Sequence, residues 1–161
     1  MFTKYDHTAH PPKNKPVMVW DGQCGFCKYW ITRWKRMTGD QVDYKTFQEV
    51  AGDFADIPLK EFKKASRLIE PDGKVYSGPD SAYRSYDFSQ KRNYPFHNWY
   101  LKNGWFQKAS DRVYNHIAKN RPFYHELTTT LFGKDPLRLK PYWVIYLLAL
   151  ISLFLIISLL F

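Results

Sequence analysis

Apolar residues change their spacing several times along the chain, and each change marks an element. Pro16 to Trp20 (PVMVW) is a short run rich in β-branched residues, closed by Asp21-Gly22, which predicts a buried central strand. From Cys24 the apolar positions become Cys27, Trp30, Ile31, Trp34 and Met37, with Lys28, Arg33, Lys35 and Arg36 opposite them. That is helix spacing, and Gly39 supplies the stop. Val42 to Phe47 (VDYKTF) alternates at first, as a second strand does, and the following residues predict loop and short helix interrupted at Pro58. SRLIEPDGKVYSG gives two extended runs around Pro71-Asp72-Gly73, an antiparallel hairpin in which proline fixes φ and glycine accepts a positive one. Asp80 or Ser81 is expected to cap a helix near SAYRSYDF. Phe106, Ala109, Val113 and Ile117 share one face of a helix from Trp105 to Asn120, and Phe123, Leu127 and Leu131 mark a short one before Gly133. The order predicts an α/β fold, a mixed four-stranded sheet with packed helices.

The ends of the chain differ from this middle. Residues 1–15 carry prolines and polar residues with no apolar run, so they are expected to be a flexible lead-in and not a secretory signal. Residues 16–133 are then the domain, and residues 134–161 a basic flank and an apolar tail. From Tyr142 the tail carries no charge, and its length of about 20 residues at about 1.5 Å each gives roughly 30 Å. This pattern predicts a single-pass C-terminal membrane anchor. Tyr142, Trp143 and Tyr146 would form its aromatic belt, and Lys134, Arg138 and Lys140 would put the N-terminal domain on the cytoplasmic side. In that setting a structural disulfide is disfavoured, which raises the claim of catalysis or metal binding on any close cysteine pair.

Charge narrows the partners. The chain of 161 residues has a formal net charge of +9, spread along the sequence with no block of like charges, which argues against a disordered nucleic-acid arm. No basic recognition helix or aromatic RNA-binding signature accompanies the charge, so no nucleic-acid partner is expected. Aromatic residues make up 19% of the chain, and the cluster NWYLKNGWF, Asn98 to Phe106, is either core or an interface.

The two cysteines stand three residues apart, between the first strand and the first helix. A Cys-x-x-Cys at a helix start puts the first sulfur beside free backbone N–H groups and the positive end of the helix dipole, which favours thiolate. Cys24 would be the attacking sulfur and Cys27, one turn in, the resolving one. Gly22 and Gly25 leave room for another chain against Cys24. Asp21 is either a general base toward Cys27 or a cap and turn residue. A zinc site would need histidines to complete it, and His7, His10, His97, His116 and His125 are scattered; a third reading makes the pair two small hydrophobes. The redox reading leads, with no metal and no cofactor.

The stretch DGQCGFC, Asp21 to Cys27, directly after an apolar strand, resembles the D-G-x-C-x-x-C signature of the DCC family of thiol-disulfide oxidoreductases. LIEPDGKVYSGPDSAYR, and IAKNRPFY followed by LFG, are also similar to that family, so the resemblance runs over roughly residues 15–133. It implies a thioredoxin-like fold with Cys24 as nucleophile, Cys27 as resolver and Asp21 as the accompanying acid. It also implies a substrate groove bordered by Trp20, Gly22, Gly25, Ser66 and Gly78. Better-known thioredoxins hold a cis-proline before the hairpin strand, where this chain has Ala65 and Ser66. The expected partner is a protein dithiol or disulfide, membrane-associated, met by a tethered oxidoreductase. The alternative is a non-catalytic accessory subunit of a larger membrane complex, docking through the same domain.

Overall fold

Val17, Met18 and Val19 are all buried, because their strand has a neighbour on each side and helices over each face. The computed structural model describes residues 1–89 and 94–160. In it β1 (Val17–Trp20) pairs in parallel with β2 (Asp43–Thr46) and antiparallel with β3 (Arg67–Ile69), which pairs antiparallel with β4 (Val75–Ser77). The order β2-β1-β3-β4 is the mixed four-stranded sheet that the sequence predicts.

Around it lie α1 (Gly25–Thr38), α2 (Phe47–Val50), α3 (Leu59–Lys64), α4 (Pro79–Tyr86), α5 (Phe96–Lys102), α6 (Gly104–Lys119), α7 (Arg121–Phe132) and α8 (Tyr142–Leu160). Successive side chains of a strand face opposite ways, so the sheet divides the core in two. Val17, Val19 and Ile69 pack on one face with Phe47, Phe54 and Phe62; Met18 and Leu68 pack on the other with Ile31 and Val42. Each such fully buried side chain contributes about 1.5–3 kcal/mol. Helix α4 starts one residue before the expected caps: Pro79 is its first residue, and Gly78 precedes it at φ 62.

The first residues are tied down by main-chain and side-chain bonds. Val75 N–H donates to Asp6 O and Thr8 N–H to Gly73 O, and His7 bridges Lys74, so this strap lies along β4. Thr3 N–H donates to Glu61, Arg67 donates to Thr3 O, and both Thr8 Oγ1 and Ala9 N–H donate to Asp56. Phe2 is buried against Tyr114.

One expectation is overturned. Among the described residues no helix is long and apolar enough to cross a membrane, so the C-terminal transmembrane helix, and the single-pass location with a cytoplasmic N-terminal domain that rested on it, are withdrawn. The apolar tail does form α8, but its first residues, Tyr142, Trp143 and Tyr146, carry polar atoms. Beyond Tyr146 only about 14 residues of helix remain, roughly 21 Å against about 30 Å of hydrocarbon. Helix α8 packs on α7, and side chains such as Ile145, Leu150 and Phe154 are exposed.

Candidate redox site

The site is built where β1 ends and α1 begins. After Trp20 the backbone turns: Cys24 N–H donates to Asp21 O at 3.2 Å, and Gln23 N–H to the Asp21 carboxylate at 3.1 Å. Cys24 is the N-cap of α1, with extended backbone, and its Sγ accepts the Cys27 N–H at 3.1 Å. The sulfur thus takes the place that a serine or aspartate oxygen usually holds. Cys27 lies one turn in, its Cα 5.2 Å from that of Cys24, and the two sulfurs are joined as a disulfide. Both cysteines are half-buried and Gly25 between them is exposed.

Asp21 is held from two sides. One oxygen accepts Gln48 Nε2 at 3.0 Å and the other accepts Arg121 Nη1 at 3.0 Å. Gln48 also accepts the Gly22 N–H at 3.2 Å, so a single amide holds two residues of the turn. Its own helix, α2, is fixed by a capping box between Thr46 and Glu49. Arg121, at the start of α7, reaches further with Nη2, to Lys63 O at 3.0 Å and Lys64 O at 3.2 Å. One guanidinium therefore ties the motif to the end of α3. These donors hold the Asp21 carboxylate in the turn.

The other expected residues fall as follows. Trp20 is half-buried against the Met18 cluster. Gly22 lies against Thr46, where a Cβ would come 2.6 Å from Cγ2. Gly25 meets the ring of His125. Ser66, just before the start of β3, has its N–H donating to Tyr114 Oη at 3.0 Å, its hydroxyl 2.9 Å from that of Ser81, and its carbonyl accepting Gly78 N–H. Gly78 is buried under Phe2. The backbone of Ser66 is thus engaged within the fold, and the space beside Gly78 is filled by the strap.

A groove of about 390 Å³ adjoins the motif on its other side, lined by Gln23, Phe47, Gln48, Ala51, Leu59 and Lys63. A larger cleft of about 490 Å³ lies toward the far end of α1, among Arg33, Trp34, Arg36 and Met37, turns away from the sulfurs. Of the two, this groove is the one lined by a residue of the motif, Gln23. Among the described residues no group of three metal-ligating side chains comes together. His97 bonds Asp80 at 2.7 Å and His116 stacks on Tyr124.

No family model, no curated protein and no solved structure matches the chain. The site is therefore read from its own chemistry. Gln48, Arg121 and His125 are neighbours of the motif that local spacing does not reveal. Only Arg121 falls within a stretch that carries the resemblance, IAKNRPFY.

Proposed function

We propose that the chain is a thiol-disulfide oxidoreductase of the DCC type, exchanging disulfides with protein dithiols through Cys24. The observation that carries this reading is a half-buried cysteine at the N-cap of α1, its sulfur closed onto a second sulfur one turn behind it. The helix amino end stabilises a thiolate there, and thiolate is the attacking species.

In the reducing direction, the Cys24 thiolate attacks one sulfur of a substrate disulfide. A Cys24–substrate disulfide forms and one substrate thiolate leaves. The Cys27 thiolate then attacks Cys24 Sγ, the Cys24–Cys27 disulfide forms, and the second substrate thiolate departs. Two electrons pass to the substrate, whose sulfurs take up two protons. Reversing the steps oxidises a dithiol, and the direction follows the potential of the pair against its surroundings. Asp21, paired with Arg121, fixes the turn that presents Cys24.

Replacing Cys27 with Ser tests the reading, because the mixed disulfide then has no resolving thiol. With a disulfide-linked peptide as probe, Cys27→Ser is expected to trap a one-to-one adduct under non-reducing conditions, and Cys24→Ser to trap none. No adduct, together with no measurable potential for the wild-type pair in glutathione buffers, overturns it. A second reading, a non-catalytic docking subunit, draws on Trp99, Leu101 and Trp105, large apolar side chains that are exposed on α5 and α6. A stoichiometric complex that survives with both cysteines changed to Ala would favour it.

A further inference from the structure

We propose that His125 is a positioning residue for the cysteine pair, its Nε2–H a donor held ready for the sulfur charge that appears when the disulfide is reduced. The proposal rests on the redox reading above. Helix α7 turns two side chains toward the motif, Arg121 toward Asp21 and, one turn later on the same face, His125 toward Gly25. The tip of the imidazole makes this contact: a Cβ on Gly25 would lie 3.3 Å from Nε2, 3.4 Å from Cδ2 and 3.5 Å from Cε1. Glycine between the cysteines thus lets the ring close on the loop that carries both sulfurs.

The other ring nitrogen decides which atom holds the proton. Nδ1 is buried and has no hydrogen-bond partner. A buried N–H without an acceptor costs about 1–3 kcal/mol. We assign the proton to Nε2, where it faces Gly25 and the reduced pair would supply an acceptor, whereas a proton on Nδ1 would have none in either state. In the disulfide form the Cys24 sulfur accepts the Cys27 N–H and carries no charge. Two electrons and two protons from a substrate dithiol turn the disulfide into two thiols. Loss of one proton to water then leaves the Cys24 thiolate, and Nε2–H joins the α1 amino end in stabilising it.

The charged groups nearby are engaged or turned to water. Asp21 is paired with Arg121 at 3.0 Å and Lys64 with Glu61 at 2.7 Å. On α6, His116 stacks edge-on against Tyr124, and Lys28, Lys63 and Glu126 are exposed. The side-chain N–H that the proposal places against Gly25 is that of His125.

Thiolate absorbance against pH, measured on the reduced full chain, tests the proposal in the wild type, His125→Leu and His125→Gln. Near-ultraviolet circular dichroism checks that each variant is folded. His125→Leu is expected to lower the thiolate population at neutral pH about tenfold and to shift the glutathione equilibrium toward the disulfide by a similar factor. His125→Gln, whose amide N–H can replace Nε2–H, is expected to recover most of both. A His125→Leu protein that titrates like the wild type while still exchanging disulfides overturns the proposal and leaves the redox reading standing. A wild-type pair with no measurable potential removes both. If His125→Leu does not fold, the nitrogen chemical shifts of His125 in the wild type decide: a proton on Nε2 supports the proposal, and one on Nδ1 overturns it.

Discussion

Arg121 serves three oxygens with one guanidinium, a carboxylate oxygen of Asp21 and the carbonyls of Lys63 and Lys64. Its side chain is largely buried, so these charge-assisted bonds are only partly screened by water. Arg121→Ala is expected to cost about 1–3 kcal/mol in urea unfolding, and Arg121→Lys, which lacks the planar fork, to recover only part. Gly78 makes a second test. It sits at φ 62 with the ring of Phe2 over it, where a Cβ would lie 2.5 Å from Cζ. Gly78→Ala is expected to lose about 1–3 kcal/mol by the same measurement, from backbone strain and displacement of Phe2. At this scale the sequence is informative where chemistry is local. Asp21, Cys24 and Cys27 fall within one turn and one helix start, so spacing alone brings them together. Gln48, Arg121 and His125 reach the same place through the parallel crossover and the packing of α7 on α1, which no local period encodes.

Among the elements, the strands, the hairpin and the long helices follow hydrophobic periods and are legible for that reason. The strap is not: residues 1–10 have no period, and their bonds run to partners more than 40 positions away, Asp56, Glu61 and Arg67. Two carboxyls fasten it. Burial works against ionisation of Glu61, but the Lys64 ammonium, the Thr3 N–H and the Arg67 charge outweigh it and hold the carboxyl below its ordinary range. Asp56 is lowered as well; its slight burial works the other way and is outweighed by Thr8 Oγ1 and Ala9 N–H. Folded values below the unfolded ones mean that the stabilisation is complete above the ordinary carboxylate range, about pH 4, and is lost as pH falls through the folded values. Amide exchange of Thr3, Thr8 and Ala9 is therefore expected to accelerate under acid before that of β1 and β3. Helix α8 shows the opposite error. Composition makes it look like a span, yet the aromatic start leaves too little aliphatic length behind it.

For the whole molecule, the mixed sheet and its flanking helices were legible because a continuous apolar run and a proline-glycine hairpin each admit few topologies. What the tail does could not be read from its composition. Helix α8 packs on α7 and leaves most of its large apolar side chains exposed, while both cores lie within residues 17–75. Deleting residues 142–161 is accordingly expected to leave the thermal midpoint within a few degrees and to sharpen the size-exclusion profile, since an exposed apolar helix promotes self-association.

The strap along β4 has one more effect. An outer strand with unpaired amides is a template on which a neighbouring molecule can add its own strand. Here Asp6 already takes up the Val75 N–H of β4 and Thr8 bonds Gly73 in the turn before it, and on the opposite rim β2 is four residues long and carries Asp43 and Lys45. Stacking of copies through their sheets is closed off at one border by the chain's own beginning and at the other by brevity and charge.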